Sequence, residues 1–186
     1  MGKTNIILGD ITQVKAEALV NSINTQLIGG AGYGTNGNII QAGGAIVQSA
    51  IQKLRINLGT LEPGKAAITI AGNLPANYII HTVGPVWKDG ENKEEMVLTD
   101  CYENCLRLAV EKNIKKIAFP NISTGSYKFP KSIAAEISVG TCEWFLRQEE
   151  GKKIEEIILV CHNAENYELC NAELAKIKAR KQRVVG

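Results

Sequence analysis

With 186 residues, 45% of them hydrophobic and 22% charged, the chain has the size and balance of one globular domain that buries its own core, far from the composition of disorder. A formal net charge of +2 and 5% aromatic residues provide neither the basic field nor the stacking platforms of a nucleic-acid binder. No apolar run approaches a bilayer span and the amino terminus lacks a signal-peptide core, so a cytoplasmic protein with no membrane partner is expected.

The first strand-length apolar run covers residues 5–8 and ends at Gly9-Asp10. Asp10 is one of only three aspartates, and a strand-end carboxylate suits acceptance of an exocyclic amine such as that of adenine; an exposed carboxylate is also often merely solvated. A short helix is expected near residues 13–17, then a strand at 18–20. After it come Asn21-Ser-Ile-Asn24 and the glycine-rich stretch from Gly29 to Gly37. Dense glycine lets backbone amides approach phosphate oxygens closely beside a helix start, and asparagines at such a loop both donate and accept, as ribose hydroxyls require. A long helix is expected over residues 39–54.

Two strings mimic nucleotide motifs. Gly32-Tyr-Gly-Thr-Asn-Gly37 matches the GxGxxG pattern, but it lies many residues beyond the strand and Asn57 stands in the window where a ribose-binding acid belongs. Gly59 to Lys65 (GTLEPGK) fits the first places of a P-loop. Ala66 then replaces the magnesium-binding hydroxyl and Pro63 removes a cradle amide, so a tight turn into a strand at residues 66–70 is the expectation.

A strand at residues 78–83 and the string that follows it carry His81 and Trp87, which read as packed core residues with a satisfied imidazole. The helix at residues 94–110 places Cys101 and Cys105 on one face. Five cysteines without metal-type spacing read as reduced core thiols. After a strand at residues 116–119 comes Pro-Asn-Ile-Ser123-Thr-Gly125-Ser-Tyr127-Lys-Phe-Pro130, a glycine turn whose amides and hydroxyls suit a diphosphate, although a plain capped turn reads the same way. A helix at residues 131–146, a strand at 157–161, His162 and a helix at 165–179 complete the pattern. The basic run from Lys176 to Arg183 reads as a solvated helix end. Strands alternating with helices imply a largely parallel sheet covered on both faces, with ligands expected where strands end.

In order and spacing, GDIT, VNSIN, the glycine loop, NLPANYIIHTVGPVW, IAFPNISTGSYKFP and IILVCHNAENYELC resemble the macro domain family over nearly the whole chain. The resemblance implies one domain over residues 1–186, a three-layer α/β/α sandwich with a mixed, largely parallel sheet. It implies ADP-ribose, free or on a protein, as the ligand, and no metal or redox cofactor. Residue by residue, Asp10 would accept the adenine amine, Ile11 would line the adenine slot and Asn24 would contact the distal ribose. Gly32, Gly34 and Gly37 would form one phosphate turn, and Ser123, Thr124, Gly125, Ser126 and Tyr127 the other, with Tyr127 also covering the distal ribose. His162 falls where the family often carries an aromatic beside adenine; stacking there and a plain strand-end histidine both remain open.

Hydrolytic family members commonly carry an aspartate just before the glycine that leads into the first long helix. Here Asn36 stands at that place, and no neighbour within two places is acidic. Asparagine positions a water but cannot take its proton at neutral pH. The stretch from Gly34 to Gly44 resembles the macro domain of a histone variant regarded as an ADP-ribose reader. Binding is therefore the leading expectation. The alternative is a hydrolase acting on mono-ADP-ribosylated protein or O-acetyl-ADP-ribose, with Asn24 and Asn36 as candidates to hold its water.

Overall fold

The computed structural model describes residues 2–29 and 34–185, with side chains to residue 180; Gly32, assigned to the first phosphate turn, lies outside the described residues. Six strands, β1 (Lys3–Leu8), β2 (Ala18–Ser22), β3 (Ala66–Ile70), β4 (Tyr78–Thr82), β5 (Lys116–Pro120) and β6 (Glu156–Cys161), form one sheet in the order β1-β6-β5-β2-β4-β3. Neighbours run parallel except β3, which pairs antiparallel with β4 at the edge. The sheet is therefore mixed and mostly parallel.

Its strands are apolar on both sides because helices cover both faces. Leu19, Ile79 and Ile158 face one way, beneath helices α1 (Gly34–Gly43) and α2 (Ala45–Leu58), which pack down through Ile39, Ile40, Val47 and Ile51. Val20, Ile80 and Leu159 face the other way, toward α3 (Glu94–Glu111), α4 (Lys131–Phe145) and α5 (Ala164–Val185). Each fully buried Leu or Ile contributes about 1.5–3 kcal/mol relative to its exposed state. The outcome is a three-layer α/β/α sandwich.

Two expectations are corrected. The helix expected over residues 39–54 is two helices, broken where Gly44 takes φ +76°, a conformation open to glycine at little cost. The first of them begins at Gly34, inside the glycine loop. Its poor helix formers are held by the burial of Ile39 and Ile40 and by a hydrogen bond from Asn21 to Asn36. The short helix expected near residues 13–17 is instead a 3-10 turn at Ile11–Gln13, capped by Asp10 through a 2.9 Å bond from the Thr12 amide, with Val14 already extended.

The remaining readings hold locally. The P-loop mimic is a turn, with Gly64 at φ +81° and the Lys65 amide 3.1 Å from the Glu62 carbonyl. The cysteines are free and buried, and burial pushes the Cys101 thiol up to about 11. Trp87 packs edge-on against Phe129.

What positions a site is the parting of two connections. Strand β2 feeds α1 on one face while its neighbour β5 feeds α4 on the other, so their loops diverge above the sheet. The crevice left at such a point is where an open α/β sheet takes its ligand.

Candidate functional site

A cleft of about 490 Å³ occupies that crevice. Four strand ends build it. Gly9, Asp10 and Ile11 come from the end of β1, and His162, Asn163 and Asn166 from the end of β6. Ser22, Ile23 and Asn24 follow β2, and Pro120 leads from β5 into the turn that ends at Tyr127. The first turn of α1 closes the wall with Gly34, Thr35 and Asn36. Two turns about ninety positions apart in sequence thus meet across one space.

Asp10 and His162 lie side by side because β1 and β6 are paired, and both are exposed at the mouth. Asp10 spends one oxygen on the Thr12 amide and keeps the rest of its acceptor capacity for the cleft. It is the only carboxylate among the described residues lining the cleft, which also include no Lys or Arg. An anion there would be held by backbone amides and hydroxyls, not by ion pairs.

The second turn is rigid by its own bonds. Thr124 Oγ1 donates to the Asn121 carbonyl at 3.0 Å, and the Phe129 amide to the Ser123 carbonyl at 3.0 Å. The Trp87 amide binds the Tyr127 carbonyl at 2.9 Å, and Ser123 takes φ +64°. Among the described residues no acceptor is bonded to the amides of Thr124, Gly125, Ser126 or Tyr127. Ser123 Oγ is buried and without a partner among them. The first turn of α1, a helix start of the kind that suits an anion, lines the same space with Gly34, Thr35 and Asn36.

The turn sits this low because of Gly84. A Cβ placed there would stand 2.2 Å from Ser123 Oγ and 2.7 Å from Ile122 Cγ2. Gly84→Ala is therefore expected to cost about 1–3 kcal/mol of stability as an overpacked contact and to weaken ligand binding by lifting the turn. An unchanged melting temperature together with unchanged affinity refutes this role for Gly84.

Asn24 lines the cleft, yet its side chain also braces its own loop, with Nδ2 donating to the Ile28 carbonyl at 2.8 Å and Oδ1 accepting from the Ile28 amide at 3.0 Å. Asn36 lines the cleft, with its Oδ1 accepting from Asn21 Nδ2 at 2.8 Å. Gly37 is buried within α1 and does not line the cleft, so it does not reach the ligand space assigned to it. Asn121, Asn163 and Asn166 line the cleft although none was singled out as a site residue; the strings around them follow β5 and β6, and Asn166 lies in the first turn of α5. The link of Asn21 to Asn36 and His81 was not visible in the sequence, because those partners are 15 and 60 positions away.

Glu17 stays away from the mouth, accepting from the Lys115 and Lys116 amides at the opposite ends of the strands. Among the described residues no three His, Cys, Asp or Glu side chains are grouped to hold a metal ion, and no helix is long and apolar enough to cross a membrane.

A family model for the macro domain matches residues 20–138, and the chain belongs to the macro domain family. It is 46% identical to O-acetyl-ADP-ribose deacetylase 1 of Pantoea vagans over 91% of this chain and 96% of that one. It is 45% identical to a macro domain-containing protein of Listeria monocytogenes over 89% and 93%. Among solved structures, the Oceanobacillus iheyensis macrodomain superposes with a TM-score of 0.87 at 34% identity, covering 94% of this chain and 92% of that chain. A variant of that macrodomain was solved with ADPR, and a further structure of it with ADP.

Proposed function

We propose that the chain binds ADP-ribose, free or as the terminal modification of a protein, with adenine beside Asp10 and Ile11 and the distal ribose between Asn24, Asn36 and Tyr127. One observation carries this reading: the first turn of α1 and the Ser123–Tyr127 turn, whose Thr124 to Tyr127 amides have no acceptor among the described residues, line a single cleft of about 490 Å³ with no Lys or Arg among its described lining residues. That arrangement suits a diphosphate recognised by backbone, and the chain's family includes structures solved with ADPR and ADP. His162, exposed beside Asp10, offers a flat ring to the adenine.

Asp10→Ala tests the adenine end. Losing a charged hydrogen bond is expected to weaken ADP-ribose by about 1.5–3 kcal/mol, which is about 10- to 150-fold in Kd. Calorimetry that finds the same affinity in a folded variant refutes the adenine assignment.

A second reading, hydrolysis of the acetyl ester of O-acetyl-ADP-ribose, is favoured by the name of the Pantoea vagans relative. Against it stands the donor set. The cleft's only described carboxylate is Asp10, with His162 beside it, and β5 separates their strands from β2, whose end leads to Asn24, so among the described residues lining the Asn24–Asn36 end no side chain can take a proton from water at neutral pH. Parallel titrations with ADP-ribose, ADP, ATP and NAD, run beside a turnover assay on O-acetyl-ADP-ribose and mono-ADP-ribosylated protein, separate the two. Binding of ADP-ribose without turnover is the expected result. Steady multiple turnover establishes the hydrolase instead.

A further inference from the structure

Beneath the Asn36 wall of the cleft runs a chain of four polar side chains. Asn21 and His81 are direct partners in the β2–β4 register, on the face that carries Leu19 and Ile79, and both are wholly buried. Asn21 Nδ2 lies 2.8 Å from Asn36 Oδ1 and 3.3 Å from His81 Nδ1. On the far side, His81 Nε2 lies 2.7 Å from the hydroxyl of Thr69 on β3.

With Asn21 Nδ2 turned toward both Asn36 and His81, proton counting sets the direction of every link. Burial lowers the His81 pKa to about 4, so the ring is neutral and carries a single N–H. A carboxamide nitrogen has two hydrogens to give and accepts nothing. Asn21 Nδ2 therefore donates both to Asn36 Oδ1 and to His81 Nδ1, the imidazole proton sits on Nε2, and Thr69 accepts it. Ring tautomer and amide orientation lock each other. Moving the proton to Nδ1 would set two N–H groups against each other, and the relief is to turn Asn21 over. An inverted Asn21 would offer its oxygen to Asn36, which must then turn as well.

We propose that His81, held by Thr69, is a positioning residue that acts through Asn21 to keep Asn36 with its amide N–H toward the distal ribose of the ligand. The Asn36 carbonyl is committed downward, so this end of the cleft presents a hydrogen-bond donor to ligand oxygens. The assignment rests on the ADP-ribose reading above, because it places the distal ribose beside Asn36.

ADP, which ends before the distal ribose, supplies the control. Thr69→Val keeps shape while removing the acceptor for Nε2, and His81→Phe removes the ring's hydrogen bonds. Each is titrated calorimetrically with ADP-ribose and with ADP, alone and combined with Asn36→Ala, after circular dichroism has confirmed the fold. The wild type is expected to bind both ligands. Each variant is expected to lose about fivefold or more for ADP-ribose, the worth of one hydrogen bond, while ADP stays within about twofold. Adding Asn36→Ala to either variant should cost little further, since coupled residues are not additive. Equal losses for both ligands, no loss for either, or an Asn36→Ala penalty undiminished in the variant background overturns the proposal. Thr69→Val decides alone if His81→Phe does not fold. A wild type that binds ADP but not ADP-ribose, or neither, overturns the ADP-ribose reading and this assignment with it, a result distinct from wild-type binding that the variants leave untouched.

Discussion

Gly125→Val is expected to abolish measurable ADP-ribose binding, a loss of about 100-fold or more, equivalent to about 2.7 kcal/mol, while leaving the fold intact. The two halves of the expectation come from the same observation. A Cβ at Gly125 meets no heavy atom within 4 Å, so the isopropyl group grows into open space and strains nothing. Gly125 is exposed and has no positive φ, so the backbone accepts a β-branched residue at little cost. Gly125 lines the cleft, and a ligand that touches the amides of Thr124 to Tyr127 is expected to collide with the two added methyl groups. Calorimetry paired with a thermal melt reads both halves. Normal affinity in a folded Gly125→Val protein places the diphosphate elsewhere.

Asn36→Asp is expected to create or raise hydrolytic turnover of O-acetyl-ADP-ribose by about 100-fold or more, the usual worth of a positioned general base. Asn21 Nδ2 already donates to the Oδ1 position at 2.8 Å, so a carboxylate oxygen inherits the same partner and is held in the same rotamer. The second oxygen then takes the place of the Asn36 amide nitrogen and accepts a proton from water. The added negative charge beside a diphosphate should also weaken ADP-ribose by a few-fold. A single-turnover assay on wild type and variant decides. Turnover by the wild type at the rate of the variant shows that a carboxylate at this position is not what the chain lacks.

Much of the architecture was legible from the sequence because its signals are local. Strands such as Ile157 to Cys161 stand out as short apolar runs, and the period of α3 and α4 persists over many turns. The break at Gly44 was not legible. Ile39, Ile40, Val47 and Ile51 keep a helical period through it, and only the left-handed turn interrupts it. Nor was the true start of α1, since glycine and asparagine argue against helix and their stabilising contacts come from β2.

The site divides in the same way. Asp10 and His162 could be found because a polar residue directly after an apolar strand lies at a strand end by construction. The Asn21–His81 link could not, because it depends on register between two strands whose residues are 60 positions apart. Reading His81 as a satisfied core histidine was right about its burial but silent about what its hydrogen bonds orient. Asn121, Asn163 and Asn166 look like ordinary polar residues after a strand until the ends of β5 and β6 bring them to one cleft.

The most direct test follows backbone amide resonances of the 15N-labelled protein during titration with ADP. Resonances of Thr35 and Asn36 and those of Thr124 to Tyr127 should shift along one saturation curve, because a single pair of phosphates sits against both segments. Movement confined to one segment, or two curves with different midpoints, contradicts the account.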